Sequence, residues 1–194
     1  MEEKEMLLKF HEVFEYTLPI LESTEKGFLA EKQAVLKENK AKIKELIKSR
    51  VDFAQTVIEL KNKSETDKKY VSLLPSFQSI ALALENLINK METKVESRIL
   101  FSEKALSEIR ELLDIMLGQF RDAMDFLVTK NPHLRDNINA VREKIARATT
   151  EYESIHQQRL ITGICMPQAS YLYIDISESI KRISRGLADF SEKV

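Results

Sequence analysis

The stretch that decides the fold of this chain reads HQQRLITGICMP and covers residues 156–167. Apolar residues recur at helical spacing ahead of this stretch and within it as far as Leu160, and Gly163 then interrupts the pattern. Glycine is favoured just past the end of a helix, and proline is favoured at the first position of a new one. The sequence therefore predicts that a fifth helix ends at Gly163 and that Met166 and Pro167 open a sixth.

The stretch 156–167 resembles the last helical hairpin of PhoU-like domains, in particular those that form the cytoplasmic end of sodium/phosphate cotransporters. In that family the pattern reads approximately His-x-x-Arg-Leu-x-x-Gly-x-Cys-x-Pro, followed by an aspartate and by Glu-Arg-Ile-Gly-Asp. Asp175 matches the aspartate, but residues 181–185 read KRISR, so two family carboxylates are replaced by basic residues. The segment 98–106, RILFSEKAL, also resembles the start of that domain in the cotransporters.

This resemblance implies a fold, a function and partners. The fold would be all-α, with six long helices in two tandem three-helix bundles, residues 1–100 and 101–194, that together form one PhoU-like domain. The function would be that of a non-catalytic cytoplasmic regulatory or interaction domain in phosphate transport or phosphate signalling. Its partner would be a transporter or signalling protein, foremost a sodium/phosphate cotransporter, and the chain would also be able to form a homodimer.

Composition independently favours helices. The 194 residues include only four Gly and four Pro, no Trp, 43% hydrophobic and 31% charged residues. Long amphipathic helices have such a composition, whereas a strand-rich fold needs more turn residues. The chain is also long enough to bury a substantial core.

Charge and cysteine content narrow the function classes. The chain has 30 basic and 31 acidic residues, so no overall field favours nucleic acid. Its single cysteine, Cys165, excludes an intramolecular disulfide and fits a reducing compartment, where we expect a packed thiol. No apolar run approaches the roughly 20 residues that cross a bilayer, and the start lacks the order of a signal peptide. We therefore expect a cytoplasmic chain that contacts a membrane only through a transporter.

Apolar residues at steps of three and four predict six amphipathic helices and their core faces. The first helix is predicted to end near Thr24, and the second to run from after Gly27 to about Asn62. Residues 61–69 are predicted to connect it to the third helix. Ser102 is the predicted cap of the fourth helix, and Asn131-Pro132 the predicted start of the fifth. The predicted core residues include Phe53, Ala54, Val57 and Ile58 on the second helix, and Tyr171 and Ile183 on the sixth. The two halves have similar helix lengths and order, which indicates a tandem repeat.

Two groups of basic residues are candidates for binding. Arg159, Lys181, Arg182 and Arg185 could gather an anion such as phosphate or contact a partner, because arginine forks match phosphate oxygens. A second group lies within about 80° on one face of the second helix and consists of Lys37, Lys40, Lys44 and Lys48. This lysine stripe is typical of a solvated outer face, and its functional interpretation is a contact for an acidic partner or for lipid headgroups.

Metal chemistry has weaker support in the sequence. Glu153 and His156 stand one helical turn apart, which is half of a di-iron motif, but the sequence has no second copy. The resemblance places the family's metal-binding carboxylates at Asn89, Thr93, Lys181 and Arg185, and none of these side chains is a carboxylate. We therefore expect no metal, no cofactor and no catalytic residue. The alternatives are a membrane-surface or scaffolding bundle and, with less support, a metal-dependent helical-bundle enzyme.

Overall fold

The computed structural model describes residues 3–59, 64–163 and 166–194, without the side chains of residues 50–58. Every regular element within these ranges is a helix, which confirms the prediction of an all-α fold with six long helices. The helices are α1 (Glu3–Leu29), α2 (Gln33–Ile58), α3 (Glu65–Glu96), α4 (Glu103–Thr129), α5 (Pro132–Ile161) and α6 (Pro167–Lys193).

Four of the helices form the centre of the molecule. α1 packs against α3 and α4, and α6 completes the ring by packing against α3 and α4 as well. α2 lies on the outside of α1 and α3, and α5 lies in the same way on α4 and α6. The second helix of each half therefore covers the first and third, while the division of the chain into two repeats at residue 100 stays a prediction.

One continuous core fills the space between the halves. Its aromatic centre joins helices from both halves, since the ring centroids of Phe10 and Phe190 lie 5.0 Å apart and those of Phe14 and Phe120 also lie 5.0 Å apart. Aromatic pairs at such distances stabilise a core beyond the area that they bury. Ile183, predicted to face the core, is fully buried.

The α3 and α6 helices approach each other closely at Gly186. A Cβ atom built on this glycine would lie 2.5 Å from Cγ1 of Ile80, which is too close for a real contact. Glycine at this position lets the two backbones come together. Two other small residues of α6, Ser177 and Ser184, are also buried. The joint between the two halves thus depends on the absence of a side chain.

Several predicted helix ends are confirmed. The Oγ of Ser102 accepts a hydrogen bond from the backbone N–H of Ala105, so Ser102 caps α4. Asn131 caps α5 through the N–H of His133, with Pro132 as the first helical residue. Met166 precedes Pro167 at the start of α6, although its side chain makes no capping bond.

Other predicted boundaries were wrong. α1 does not end near Thr24 but continues through Pro19 to Leu29, where Glu31 adopts a positive φ and closes the helix. α3 begins inside the predicted connection, because Ser64 and Asp67 form a reciprocal capping box. A serine followed three residues later by an acidic residue is the sequence signal for this start. Residues 60–63, which include Asn62, lie outside the described residues.

The sixth helix buries a different tyrosine from the predicted one. Tyr171 was predicted to face inward but is exposed, and the buried tyrosine of α6 is Tyr173. Cys165 and the side chains of Phe53, Ala54, Val57 and Ile58 lie outside the described part of the structure. Among the described residues, α3 is long and apolar enough by length and composition to span a membrane, which differs from the expectation that no run approaches this length, and half of its apolar window is buried inside the fold.

Candidate functional site

One end of the molecule, which we call the turn end, carries residues 30–32, 97–102, 162–163 and 166. Gly163 follows α5 with φ of 74°, the left-handed conformation in which glycine carries no steric penalty. The side chain of Lys94, in the last turn of α3, is buried there and donates to Glu31. The residues of the stretch 156–167 that the structure describes thus build part of this end.

His156 is buried between α5 and α6 at the turn end. Its Nε2 lies 2.9 Å from Oγ of Ser170, and its ring stacks on Tyr173 with a centroid distance of 4.3 Å. Burial, assisted by the nearby charge of Arg159, lowers the pKa of His156 below its usual value. The imidazole is therefore neutral near pH 7 and holds the two helices together as a packed, hydrogen-bonded ring.

Arg159 is also part of the interior. Its Nη2 donates to Oε2 of Glu108 at 2.7 Å, and the Tyr173 hydroxyl donates to the same oxygen at 2.7 Å. The Glu108 and Arg159 side chains are only 1% and 12% exposed. Burial, followed by the bond to Glu108, raises the pKa of Tyr173 far above its usual range, so the hydroxyl keeps its proton. These contacts join α4, α5 and α6 into what we call the buried polar cluster: Glu108, His156, Arg159, Ser170 and Tyr173.

Sequence reasoning found His156 and Arg159 but missed Glu108, Ser170 and Tyr173, the three residues that complete the cluster. A signal for Glu108 existed, since it stands one step before Ile109 and three after Ala105, inside the apolar stripe of α4. A carboxylate at a core position requires a positively charged or hydrogen-bonding partner. Nothing in the spacing indicated which partner this would be.

The predicted anion site does not assemble. Arg159 lies beside Tyr173, whereas Arg185 follows Tyr173 by twelve residues, which is about 18 Å along a helix that rises 1.5 Å per residue. Arg185 is 78% exposed and lies 3.7 Å from Asp189. Lys181 donates to Glu178 at 2.7 Å, and Arg182 is exposed. The four basic residues therefore do not converge on one ligand.

The lysine stripe of α2 lies along the seam with α3 rather than on a free outer face. Lys37 pairs with Glu96 at 3.3 Å, Lys40 with Glu92 at 2.7 Å and Lys44 with Glu85 at 3.5 Å, while Lys48 is exposed. Because α2 and α3 run antiparallel, lysines of increasing residue number on α2 face glutamates of decreasing residue number on α3. Three of the four lysines are thus already neutralised inside the chain, which weakens the hypothesis of a lipid or acidic-partner contact.

The acidic residues of the third and sixth helices are paired in a similar way. Asp175 lies 2.6 Å from Lys90, and Glu178 and Asp189 pair with Lys181 and Arg185. Each of these three acids therefore has a basic partner within the chain. Glu153, one turn before His156, lies beside Glu178, and burial and that carboxylate raise the pKa of Glu153. Across the described residues, no three His, Cys, Asp or Glu side chains are grouped so that they could hold a metal ion.

Exposed apolar side chains also gather at the turn end. Leu100, Ile161, Met166 and Tyr171 belong to the linker after α3, the end of α5 and the start of α6, and each is between 68% and 85% exposed. Leu100 and Met166 stand at a cleft whose inner wall includes His156 and Tyr173. Isolated exposed apolar residues are ordinary, but several at one end of a molecule are typical of an interaction surface.

Comparison of the chain with family models, with curated proteins and with solved structures finds no match. The resemblance to PhoU-like domains therefore rests on the sequence pattern alone.

Proposed function

We propose that this chain is a non-catalytic regulatory or interaction domain of phosphate transport, which docks from the cytoplasmic side on a transporter or signalling protein. The observation that carries the docking proposal is the group of exposed apolar side chains at the turn end. The assignment to phosphate transport is supported by the resemblance of residues 156–167 to the PhoU-like hairpin.

The roles of His156 and Arg159 fit this proposal. Both residues of the pattern are engaged inside the fold, where they join α4, α5 and α6. The pattern then serves to fix the geometry of the turn end, and the surface that this geometry presents makes the contact. Because the lysine stripe is neutralised by α3, the membrane-surface alternative has less support than protein docking.

A binding experiment tests this function. A purified sodium/phosphate cotransporter in detergent is immobilised, the full chain is passed over it, and the dissociation constant is measured by surface plasmon resonance. We expect Ile161→Glu and Tyr171→Glu each to weaken binding at least about tenfold, since a residue at the centre of an interface contributes more than 1.4 kcal/mol. Val128→Glu is the matched control, because Val128 is also apolar and 60% exposed but lies at the opposite end.

Phosphate uptake by cells that express the transporter with each variant gives a second measurement. Uptake that responds to the wild type and to Val128→Glu, but not to Ile161→Glu, supports regulation through the turn end. Absence of binding, or equal binding by all three variants, would refute the proposal. Light scattering of the chain alone detects the remaining alternative, a homodimer that uses this same surface.

A further inference from the structure

Three described residues other than glycine have a backbone φ in the left-handed region: Glu31 at 53°, Arg98 at 51° and Lys130 at 55°. Each stands just past the end of a helix, α1, α3 or α4. Glycine is the usual residue at such a position, because a Cβ atom makes this conformation costly. A charged residue held there is therefore expected to make a contact that offsets the cost.

Glu31 and Lys130 make such contacts inside the fold. Glu31 accepts a hydrogen bond from Lys94, and Lys130 donates to the Val194 carbonyl at 2.9 Å. The side chain of Arg98 differs, because it is exposed and has no hydrogen bond or ion pair with any described residue. Its guanidinium group is thus free to bind a group outside this chain.

Arg98 stands next to an exposed apolar side chain of the turn end. Leu100, two residues further along the linker, is 77% exposed. The α1–α2 turn lies beside the end of α3, since Gln33 donates to Glu96 at 3.0 Å. Lys32 of that turn is exposed, and its side chain also has no bond to a described residue. Two basic side chains that can be reached from solvent therefore flank the linker that carries Leu100.

The remaining charges of the turn end do not cancel these two. The ammonium group of Lys94 lies 5.8 and 5.7 Å from the centroids of two phenylalanine rings, is buried, and is already compensated by Glu31. Lys32 and Arg98 are the charges of the described turn end that are left, with Glu103 as the unpaired acid at the start of α4. Positive charge is thus in excess here, although the whole chain has a formal net charge of -1.

This combination of charge and apolar surface selects a type of partner. A guanidinium group binds a carboxylate through two parallel N–H donors, and complementary charges fix which surfaces associate. We infer that the turn end receives an acidic, apolar segment of a partner protein, in which a carboxylate pairs with Arg98 and apolar side chains cover Leu100. Lys32 adds attraction at longer range. This inference rests on the proposed docking function and names the chemistry of the partner.

An anionic membrane surface fits the turn end less well. Surfaces that bind acidic lipids usually have clusters of about four to eight basic residues, whereas two unpaired basic residues are available here. The exposed carboxylate of Glu103 would also be repelled by such a surface. A protein segment can place its carboxylates beside Arg98 and away from Glu103.

Surface plasmon resonance with the immobilised cotransporter tests this chemistry. We expect Arg98→Glu to weaken binding at least about tenfold at low salt, because it turns an attraction into a repulsion. The affinity of the wild type should fall as the NaCl concentration rises, and that of Arg98→Glu should change much less. Arg147→Glu is the matched control and should bind like the wild type, since Arg147 is also exposed and unpaired among the described residues but lies within α5.

Arg98→Gly separates binding from folding. Glycine removes the guanidinium group and also relieves the left-handed backbone. This variant should bind the cotransporter more weakly, while its thermal unfolding temperature stays at or above that of the wild type. A residue with only a structural role would not give this combination.

The outcomes distinguish the inference from the docking function. If Arg98→Glu and Arg98→Gly bind as tightly as the wild type while Ile161→Glu does not, the inference is overturned and the docking function stands. Binding of the chain to vesicles of phosphatidylcholine and phosphatidylserine, lost in Arg98→Glu, would assign Arg98 to lipid and also overturn it. If the wild type does not bind the cotransporter at all, the docking function is refuted and this inference with it.

Discussion

Charged residues stabilise the two halves of this molecule in different ways. In the first half, α2 and α3 are joined by a row of ion pairs, such as Lys37 with Glu96, in which both side chains are 54% exposed. In the second half, α4, α5 and α6 are joined by a buried carboxylate, Glu108, which accepts bonds from Arg159 and Tyr173. The same types of residue thus form a partly exposed seam, in which Glu92 is the buried acid among the three pairs, and a cluster that is buried.

The difference shows that burial decides what an ion pair contributes. An exposed pair contributes roughly 0 to 1 kcal/mol, because water and salt already screen both charges. Removing one partner of a buried pair costs about 3 to 5 kcal/mol, because the other charge is left without compensation away from water. A mutation in the buried polar cluster should therefore matter far more than one in the α2–α3 seam.

The largest expected effect comes from Glu108→Ala. It removes the carboxylate that Arg159 and Tyr173 share, and we expect the free energy of unfolding to fall by about 3 to 5 kcal/mol. Glu96→Ala, which removes an exposed partner of Lys37 and Gln33, should cost less than about 1 kcal/mol. Urea unfolding followed by circular dichroism measures both variants.

A further variant sharpens this comparison. Glu108→Gln keeps an acceptor for Tyr173 but removes the negative charge, so its cost should lie between those of the two alanine variants. Similar unfolding midpoints for Glu108→Ala and Glu96→Ala would show that burial does not separate the two regions.

The fold was largely predictable because it follows from local chemistry. Apolar residues at steps of three and four define the helices, and caps such as Ser102 and Asn131 mark their ends through bonds to neighbouring backbone groups. The errors at Thr24 and in the segment 61–69 are also local. The first arose because Gly27 was taken to separate the first two helices, although it lies within α1. The second arose because the capping box of Ser64 and Asp67 was not recognised.

The candidate site was less predictable, because its members come from different helices. Arg159 was identified as basic, but its carboxylate partner stands 51 residues earlier in the chain, and only the packing of α4 on α5 brings them together. The lysines of α2 formed a clear stripe in the sequence, yet the facing acids of α3 could not be assigned to it without the antiparallel register. Sequence periodicity shows which face of a helix is polar and leaves open what that face meets.

A second mutation tests the contact between α3 of the first half and α6 of the second half. Gly186→Ala would place a methyl group 2.5 Å from Cγ1 of Ile80, so α3 and α6 must separate or repack. Overpacking a core costs about 1 to 3 kcal/mol, and the better helix propensity of alanine returns roughly 0.5 to 1. We therefore expect a net loss of about 1 to 2 kcal/mol in the free energy of unfolding.

Gly118→Ala is the control for this change. Gly118 is also a helical glycine, but a Cβ atom there meets nothing within 4 Å, so alanine should stabilise the protein by roughly 0.5 to 1 kcal/mol. Thermal unfolding of the two variants should move in opposite directions. Stabilisation by Gly186→Ala would mean that the two halves are not packed as closely as the structure shows.

The smallest expected effect concerns Glu153, whose exposure is intermediate between that of Glu96 in the α2–α3 seam and that of Glu108 in the buried polar cluster. Burial, followed by the carboxylate of Glu178, raises the pKa of Glu153 above its ordinary value of 4.5, although Lys181 acts in the opposite direction. A raised pKa means that the folded state binds this proton more tightly than the unfolded state. The contribution of Glu153 to stability is then complete below about its ordinary value and is lost as the pH rises through the folded-state pKa.

Glu153→Gln replaces the acid with a permanently neutral side chain of the same shape. At pH 7, where the wild type carries an unfavourable charge, the variant should unfold at a slightly higher urea concentration, and at pH 4 the difference should disappear. Glu151→Gln, an exposed change on the same helix, is the matched control and should leave the midpoint unchanged at both values. Since other carboxylates also titrate in this range, the informative quantity is the difference between variant and wild type at each pH. A difference that is constant between pH 4 and pH 7, or a variant that is less stable at pH 7, would show that the fold does not disfavour the charged form of Glu153.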